Sequence, residues 1–432
     1  MFRVPIRAAF GVDQLKRSLL LSLSFWTWLG LLSFPMILVY RDTTGIDEDA
    51  RGMLAYQLVG WVQFTIAALL LYPRGFLQVW KRMNYVQLSI ITVFYLSTIL
   101  QFQGDGAATA VGLVYTITFL CTALMVPLIW TLPAEAIHRL TGGSAIVLVV
   151  FQVSSIAVLG WPQDRFVGGI HPNLLGAVIL SAFILAQFNT GKLMTLLKIT
   201  SFAFAAAISS RYSLVGCLIA ALVFRVTFYK LGLRTISLLI VSACVLVILA
   251  QQYSDVLMIS DADRGIGSGI SGRDSLWTSA FDLIANNPLG AGYKRGDPFL
   301  SGHNGFLRLI VEFGVIGGGI LIGAVLLLVS QAVVNAYFLS GVPPLLRRFA
   351  SARAAGLSAF AFAAFFQPQL FNLGDAMGIS IILILFGPDT NLRFWARINA
   401  RIAMSGWIGA YASRRPKSLS SLQTSPRDRA GI

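Results

Sequence analysis

Stretches of roughly 17–25 predominantly apolar residues recur along nearly the whole of this chain, each long enough to cross a hydrocarbon core about 30 Å thick. Nothing else in the sequence constrains the fold so strongly. Within lipid every backbone polar group must be satisfied inside the protein, so such segments are read as helices. Hydropathy places them near 18–40, 53–72, 85–102, 107–130, 144–160, 172–189, 193–209, 213–229, 235–250, 315–339, 354–373 and 375–388. The expectation is an all-α polytopic membrane protein with about twelve transmembrane helices. Only "SSRYS" separates the seventh segment from the eighth. The chain is 12% charged, about half of what a soluble domain carries.

The net charge of +15 would suggest nucleic acid in a soluble protein. Beside so many spans it reflects basic residues held back in cytoplasmic loops, and no nucleic-acid partner is expected. With the N-terminus inside, cytoplasmic segments collect 24 of the 33 Lys and Arg residues, which sets both termini in the cytoplasm. The nine on the far side are Arg41, Arg51, Arg165, Arg211, Arg264, Arg273, Lys294, Arg295 and Arg308, and insertion bias does not explain them. The basic start (Arg3, Arg7, Lys16, Arg17) precedes an apolar run too long for a signal peptide, so that run is expected to stay as the first span.

The organisation follows as N-terminal membrane helices over 1–250, a long loop with short helices on the far side over 251–314 (the periplasmic side in a bacterium), C-terminal membrane helices over 315–388, and a basic cytoplasmic tail over 389–432. Within the loop, "DADRGIGSGISGRDS" reads as flexible chain. "LWTSAFDLIAN" has helical spacing, with Leu276, Ala280, Leu283 and Ile284 on one face, and "NNPLGAGYKRGDP" is a turn-rich break.

Polar residues gather near span ends at four places on the far side: "DRFVGGIHPN", "SSRYS", "SGRDSLW" and "SGHNGFLRLIVEFGVIGGG". Arginine suits phosphate there, because its planar fork donates two parallel hydrogen bonds and stays protonated. Arg211 sits at a break between two spans with no acid nearby in sequence. In a helix beginning near residue 303, Asn304, Arg308 and Glu312 form one polar stripe, and Arg308 and Glu312 can pair as a surface pair of little energetic weight. His303 stands at the helix start, as a cap or as a group that meets substrate. No histidine or thiolate metal site is expected, since His138, His171 and His303 have no His or Cys partner at ligand spacing, and Cys121, Cys217 and Cys244 lie inside apolar runs. The two aspartates of "DADRGIGSG" leave a carboxylate-bound Mg²⁺ open, although such a loop is usually only solvated.

These residues carry a resemblance. "HNGFLRLIVEFGVIGG" resembles the His-Asn…Glu-x-Gly signature of the O-antigen ligase and polymerase family, with Gly314 in its glycine position. "GRDSLWTSAFDLIANNPLGAGY" resembles that family's Arg…Trp…Pro-x-Gly-x-Gly block through Arg273, Trp277, Pro288, Gly290 and Gly292. "AISSRYSLVGCLIAAL" is similar to its Ser-Arg motif through Ser210 and Arg211, with Tyr212 where a small residue or Thr is usual. "RFVGGIHPNLLG" is similar to a further motif through His171 and Asn173.

The resemblance implies a fold akin to the C-type glycosyltransferases in a bacterial inner membrane, with the active site facing the periplasm. It implies a glycan donor on undecaprenyl diphosphate and a transfer that inverts the anomeric centre, needing neither metal nor other cofactor. Arg211, Arg273 and Arg165 would bind the diphosphate, His303 would act on the acceptor hydroxyl, and Asn304 and Glu312 would support it. Partners would be the lipid-linked oligosaccharide, a chain-length regulator and export proteins. "HPNLLG" looks closer to exopolysaccharide polymerases than to ligases acting on lipid A-core. A secondary transporter is the contrasting class, since twelve spans with both ends inside is a common transporter layout. That class predicts charged residues near the bilayer midplane, whereas these gather toward one surface.

Overall fold

The computed structural model describes residues 12–42, 49–73, 83–99, 106–130, 132, 134–163, 166–232, 273–293, 304–339 and 342–387. Among them the chain is helical, with two isolated β-bridges in the turn before His171. The helices are α1 (Val12–Ser33), α2 (Pro35–Asp42), α3 (Asp49–Leu71), α4 (Tyr85–Leu96), α5 (Gly106–Ile129), α6 (Ala134–Leu159), α7 (Pro172–Gln187), α8 (Lys192–Ala207), α9 (Arg211–Tyr229), α10 (Arg273–Asn286), α11 (Gly305–Phe338), α12 (Pro344–Ala364) and α13 (Ala376–Leu385). Five described segments are long and apolar enough to cross a membrane: Asp13–Val39, Gly112–Ile129, Ala134–Leu159, Arg211–Tyr229 and Gly305–Phe338. The expected segment 235–250 and the tail lie outside the described residues.

Helices α7 and α13 form the hub. Nearly every residue of α7 and all of α13 are buried, which a helix apolar all round achieves only when ringed by others. Around them α6, α8 and α9 pack on α7, α5 packs on α13, and α12 touches both. α12 also packs along α9 and α11, while α1 and α3 pair outside α6 and α5.

Some boundaries differ from those that hydropathy suggests. α6 begins at Ala134, within the stretch assigned to a loop before residue 144, and α12 begins at Pro344 rather than 354. Polar residues at these starts lower the local hydropathy without breaking the helix, because they find partners. Arg353, assigned to a cytoplasmic loop, is instead buried on α12, and its Nε donates to Ile384 O at 3.0 Å and its Nη2 to Leu385 O at 3.2 Å. It thereby caps the last carbonyls of α13, where a cation is favoured. Between α12 and α13 the chain turns irregularly through 365–375, where hydropathy had carried a span to 373.

α11 is two helical arms joined across a break at Gly314 (φ 74°, ψ 176°): the second begins at 315, where hydropathy starts the span, and the first carries the helix expected to begin near residue 303. A β-carbon on Gly318 would lie 2.7 Å from the Ile310 Cα, although those residues are eight apart in sequence. The short first arm, 305–313, is therefore folded back sharply against the long second arm.

Candidate active site

The break in α11 strands backbone groups that a continuous helix would pair. The Pro288–Gly292 turn takes them up: Ala291 N–H donates to Val311 O and Gly292 N–H to Glu312 O, each at 2.9 Å, while Pro288 O accepts from Val315 N–H at 3.0 Å. The Pro-x-Gly-x-Gly block is thus a plug for the kink. Its neighbour α10 lays Ala280 against Leu307 and Val311, with Trp277, Leu283 and Ile284 around them, on the face that its spacing indicates.

The first arm of α11 carries the polar stripe. Asn304 caps it, its Oδ1 accepting from Phe306 N at 3.0 Å and Leu307 N at 3.1 Å. Arg308 Nε donates to Glu312 Oε1 at 3.0 Å, and Arg308 Nη1 donates to Pro368 O. The pair is buried, Arg308 at 6% exposure and Glu312 at 2%, so the expectation of a surface pair is corrected. Folding the arm back against the second arm and the 365–375 turn covers it. Desolvating two charges costs several kcal/mol each, so such a pair persists only with good geometry and further partners.

Other motif residues meet this arm through their helix starts. Tyr212, the second residue of α9, donates its hydroxyl to Asn173 O at the start of α7. A β-carbon on Gly176 would lie 2.3 Å from Ser210 Oγ and 2.8 Å from Tyr212 Oη, so only glycine lets α7 and α9 approach this closely. Asp375 caps α13 through Gly378 N at 2.7 Å, and it interacts electrostatically with both Tyr212 and Arg308. Tyr293 donates to Phe371 O at 2.6 Å and also couples to Arg308. Burial holds its phenol well above the usual range, so it remains a donor.

The starts of α7, α9, α11 and α13 therefore converge. Three are capped by a side chain: His171 Nδ1 accepts from Asn173 N at 3.1 Å, and Asn304 and Asp375 serve α11 and α13. α9 is the exception. Ser210 makes no side-chain cap, its Oγ is buried without a hydrogen-bond partner among the described residues, and Ser209 before it is left-handed (φ 50°). Arg211 follows as the first residue of α9, exposed. A cation at a helix N-terminus is unfavourable against the dipole unless an anion joins it. The break at "SSRYS" is real: it leaves the first turn of α9 without a side-chain cap, with the exposed Arg211 guanidinium beside the buried Ser210 hydroxyl.

Arg273 is the first residue of α10, while Arg165 and His303 lie outside the described residues. Among the described residues, no group of three or more His, Cys, Asp or Glu side chains could hold a metal. Tyr293 and Asp375 were not singled out by sequence reasoning. Asp375 had a signal, a lone acid at the head of the last apolar run.

The chain is thus a helical membrane protein of several spans, with buried polar groups where helix starts meet. Residues 196–322 match the family model described as O-antigen ligase, which supports the resemblance to that ligase and polymerase family. The match takes in Arg211, Arg273, the Pro288–Gly292 turn, the first arm of α11 and the second as far as residue 322, but not the His171–Asn173 motif. A search of curated proteins finds no match to this chain.

Proposed function

We propose that this protein transfers a glycan from a lipid diphosphate carrier to a sugar hydroxyl, polymerising repeat units at the periplasmic face of the inner membrane. The observation that carries the reading is the uncapped start of α9. A diphosphate seated there would accept from the first-turn N–H groups, which no side chain caps, and from the exposed Arg211, as anions do at helix N-termini. Arg273 and Arg165 would hold the remaining oxygens.

In the transfer, the acceptor hydroxyl oxygen attacks the anomeric carbon from the face opposite the carrier. The carbon–oxygen bond to the diphosphate breaks, and the leaving group departs with the electron pair. Fixed donors aimed at that growing charge are the largest source of rate enhancement available here. His303 takes the hydroxyl proton, and Asn304 and Glu312 hold the helix start from which it acts. The charged residues cluster at helix starts, which favours transfer over transport.

The matched family's description favours a ligase as the second reading, and one assay separates the two. Purified protein receives a single lipid-diphosphate-linked repeat unit, with or without lipid A-core. Longer chains on the lipid without added core mark a polymerase, whereas product only with core marks a ligase. Absence of product in both, from folded protein, overturns glycan transfer.

A further inference from the structure

The end of the bundle away from Arg211 carries a second basic group. Lys198 is the seventh residue of α8, Arg225 lies four residues from the end of α9, and Arg348 is the fifth residue of α12. At 1.5 Å per residue, each sits roughly 6–9 Å inside its helix end, the depth of lipid headgroups. Insertion bias accounts for cations lying on this side of the bundle. It does not by itself draw three of them together between α8, α9 and α12.

Lys198 is half-buried, and its electrostatic neighbours among the described residues are Arg348 and Arg225, both of its own sign. Arg348 is fixed in place. Its Nη1 donates to Gln187 O at 3.2 Å and Asn189 O at 2.7 Å, and its guanidinium lies over Phe224 at 5.2 Å and Phe228 at 5.3 Å. Next to it, Arg347 Nε is buried without a hydrogen bond among the described residues. A group of like charges built on a rigid aromatic support stores repulsion that an anion would relieve.

The surroundings say which anion. Level with or deeper in the bundle than these cations, Ile199 on α8 is exposed by 61%, and Val215 and Leu218 on α9 by 38–50%. These apolar residues form the outer, lipid-facing surface, and Tyr229 stands exposed one turn beyond Arg225, as interfacial aromatics do. A ligand here needs a phosphate at headgroup depth and acyl chains along the apolar surface. We infer that Lys198, Arg225 and Arg348 bind the phosphodiester headgroup of an anionic phospholipid, a site separate from the one at Arg211 and independent of the glycan-transfer reading. Basic pockets between membrane helices recognise anionic headgroups in this way.

The test is native mass spectrometry of the full chain, released from mixed micelles of phosphatidylglycerol and phosphatidylcholine in equal amounts. Wild type should retain phosphatidylglycerol selectively. Lys198→Gln with Arg225→Gln should lower that retention by about tenfold or more, two surface charges being removed. Lys198→Arg with Arg225→Lys should keep it, and Arg225→Gln alone, at an exposed position, should show a partial loss if the double variant does not fold. Lys16→Gln with Arg17→Gln, removing two cations elsewhere, should leave retention unchanged. Equal retention in the Gln pair would mean the side chains merely snorkel. Equal loss in the Lys16 and Arg17 pair would mean diffuse charge. Full displacement by millimolar inorganic phosphate would mean a site for a soluble anion. Each of these results overturns the inference.

Discussion

Gly290 and Gly314 meet backbone to backbone: a β-carbon on Gly290 would lie 2.4 Å from the Gly314 nitrogen, and one on Gly314 would lie 2.4 Å from the Leu289 carbonyl carbon. Both are left-handed, at φ 98° and 74°. The turn and the break in α11 therefore require each other. Gly290→Ala and Gly314→Ala should each cost at least about 1–2 kcal/mol from backbone conformation alone, before any clash. Thermal unfolding in detergent checks this, and an unchanged midpoint in either variant would show that the junction is loose.

The buried Arg308–Glu312 pair makes a non-additive prediction. Arg308→Met or Glu312→Leu alone strands a buried charge and should cost about 3–5 kcal/mol. The double variant should regain a large part of that loss, because neither charge is left unpaired, yet it should remain impaired in transfer. A double variant less stable than both singles would mean that each residue is held by other partners.

Gly176 lies beneath Ser210 and Tyr212, so a methyl there must displace the start of α9. Gly176→Ala should weaken donor binding about tenfold or more, at the level of a lost charged hydrogen bond. Gly319→Ala, with open space around it, should leave binding unchanged. Equal donor affinity in both variants would disconnect the α7–α9 contact from the site.

If His303 accepts the hydroxyl proton, His303→Asn should lower the transfer rate by roughly 10²–10⁴-fold while donor affinity holds. The wild-type rate should fall as pH drops through the imidazole titration, since the protonated ring cannot accept a proton. Asn is a good helix cap, so near-normal turnover in this variant would leave the histidine a structural role only.

What was legible in the sequence is what periodicity and chain chemistry write locally. Long apolar runs mark the helices, the face of α10 follows from its spacing, and "SSRYS" marks a true break. Polar residues at helix starts misled hydropathy at α6 and α12, because the partners of Arg353 lie 31 and 32 residues away. The burial of Arg308 and Glu312 was equally invisible. It depends on the fold-back at Gly314 and on Pro368, which lies 60 residues beyond Arg308. Asp375 became part of the candidate site only when packing brought the start of α13 beside those of α9 and α11.

The central claim is that the uncapped start of α9 and Arg211 hold a diphosphate. The most direct measurement is the affinity of purified protein for undecaprenyl diphosphate, set against undecaprenyl monophosphate, in wild type and in Arg211→Lys. Lysine keeps the charge but loses the two-pronged fork. The account predicts tighter binding of the diphosphate by wild type and a drop of at least about tenfold in Arg211→Lys, as for a lost charged hydrogen bond. Equal affinity for both lipids, or an unchanged affinity in Arg211→Lys, would contradict it.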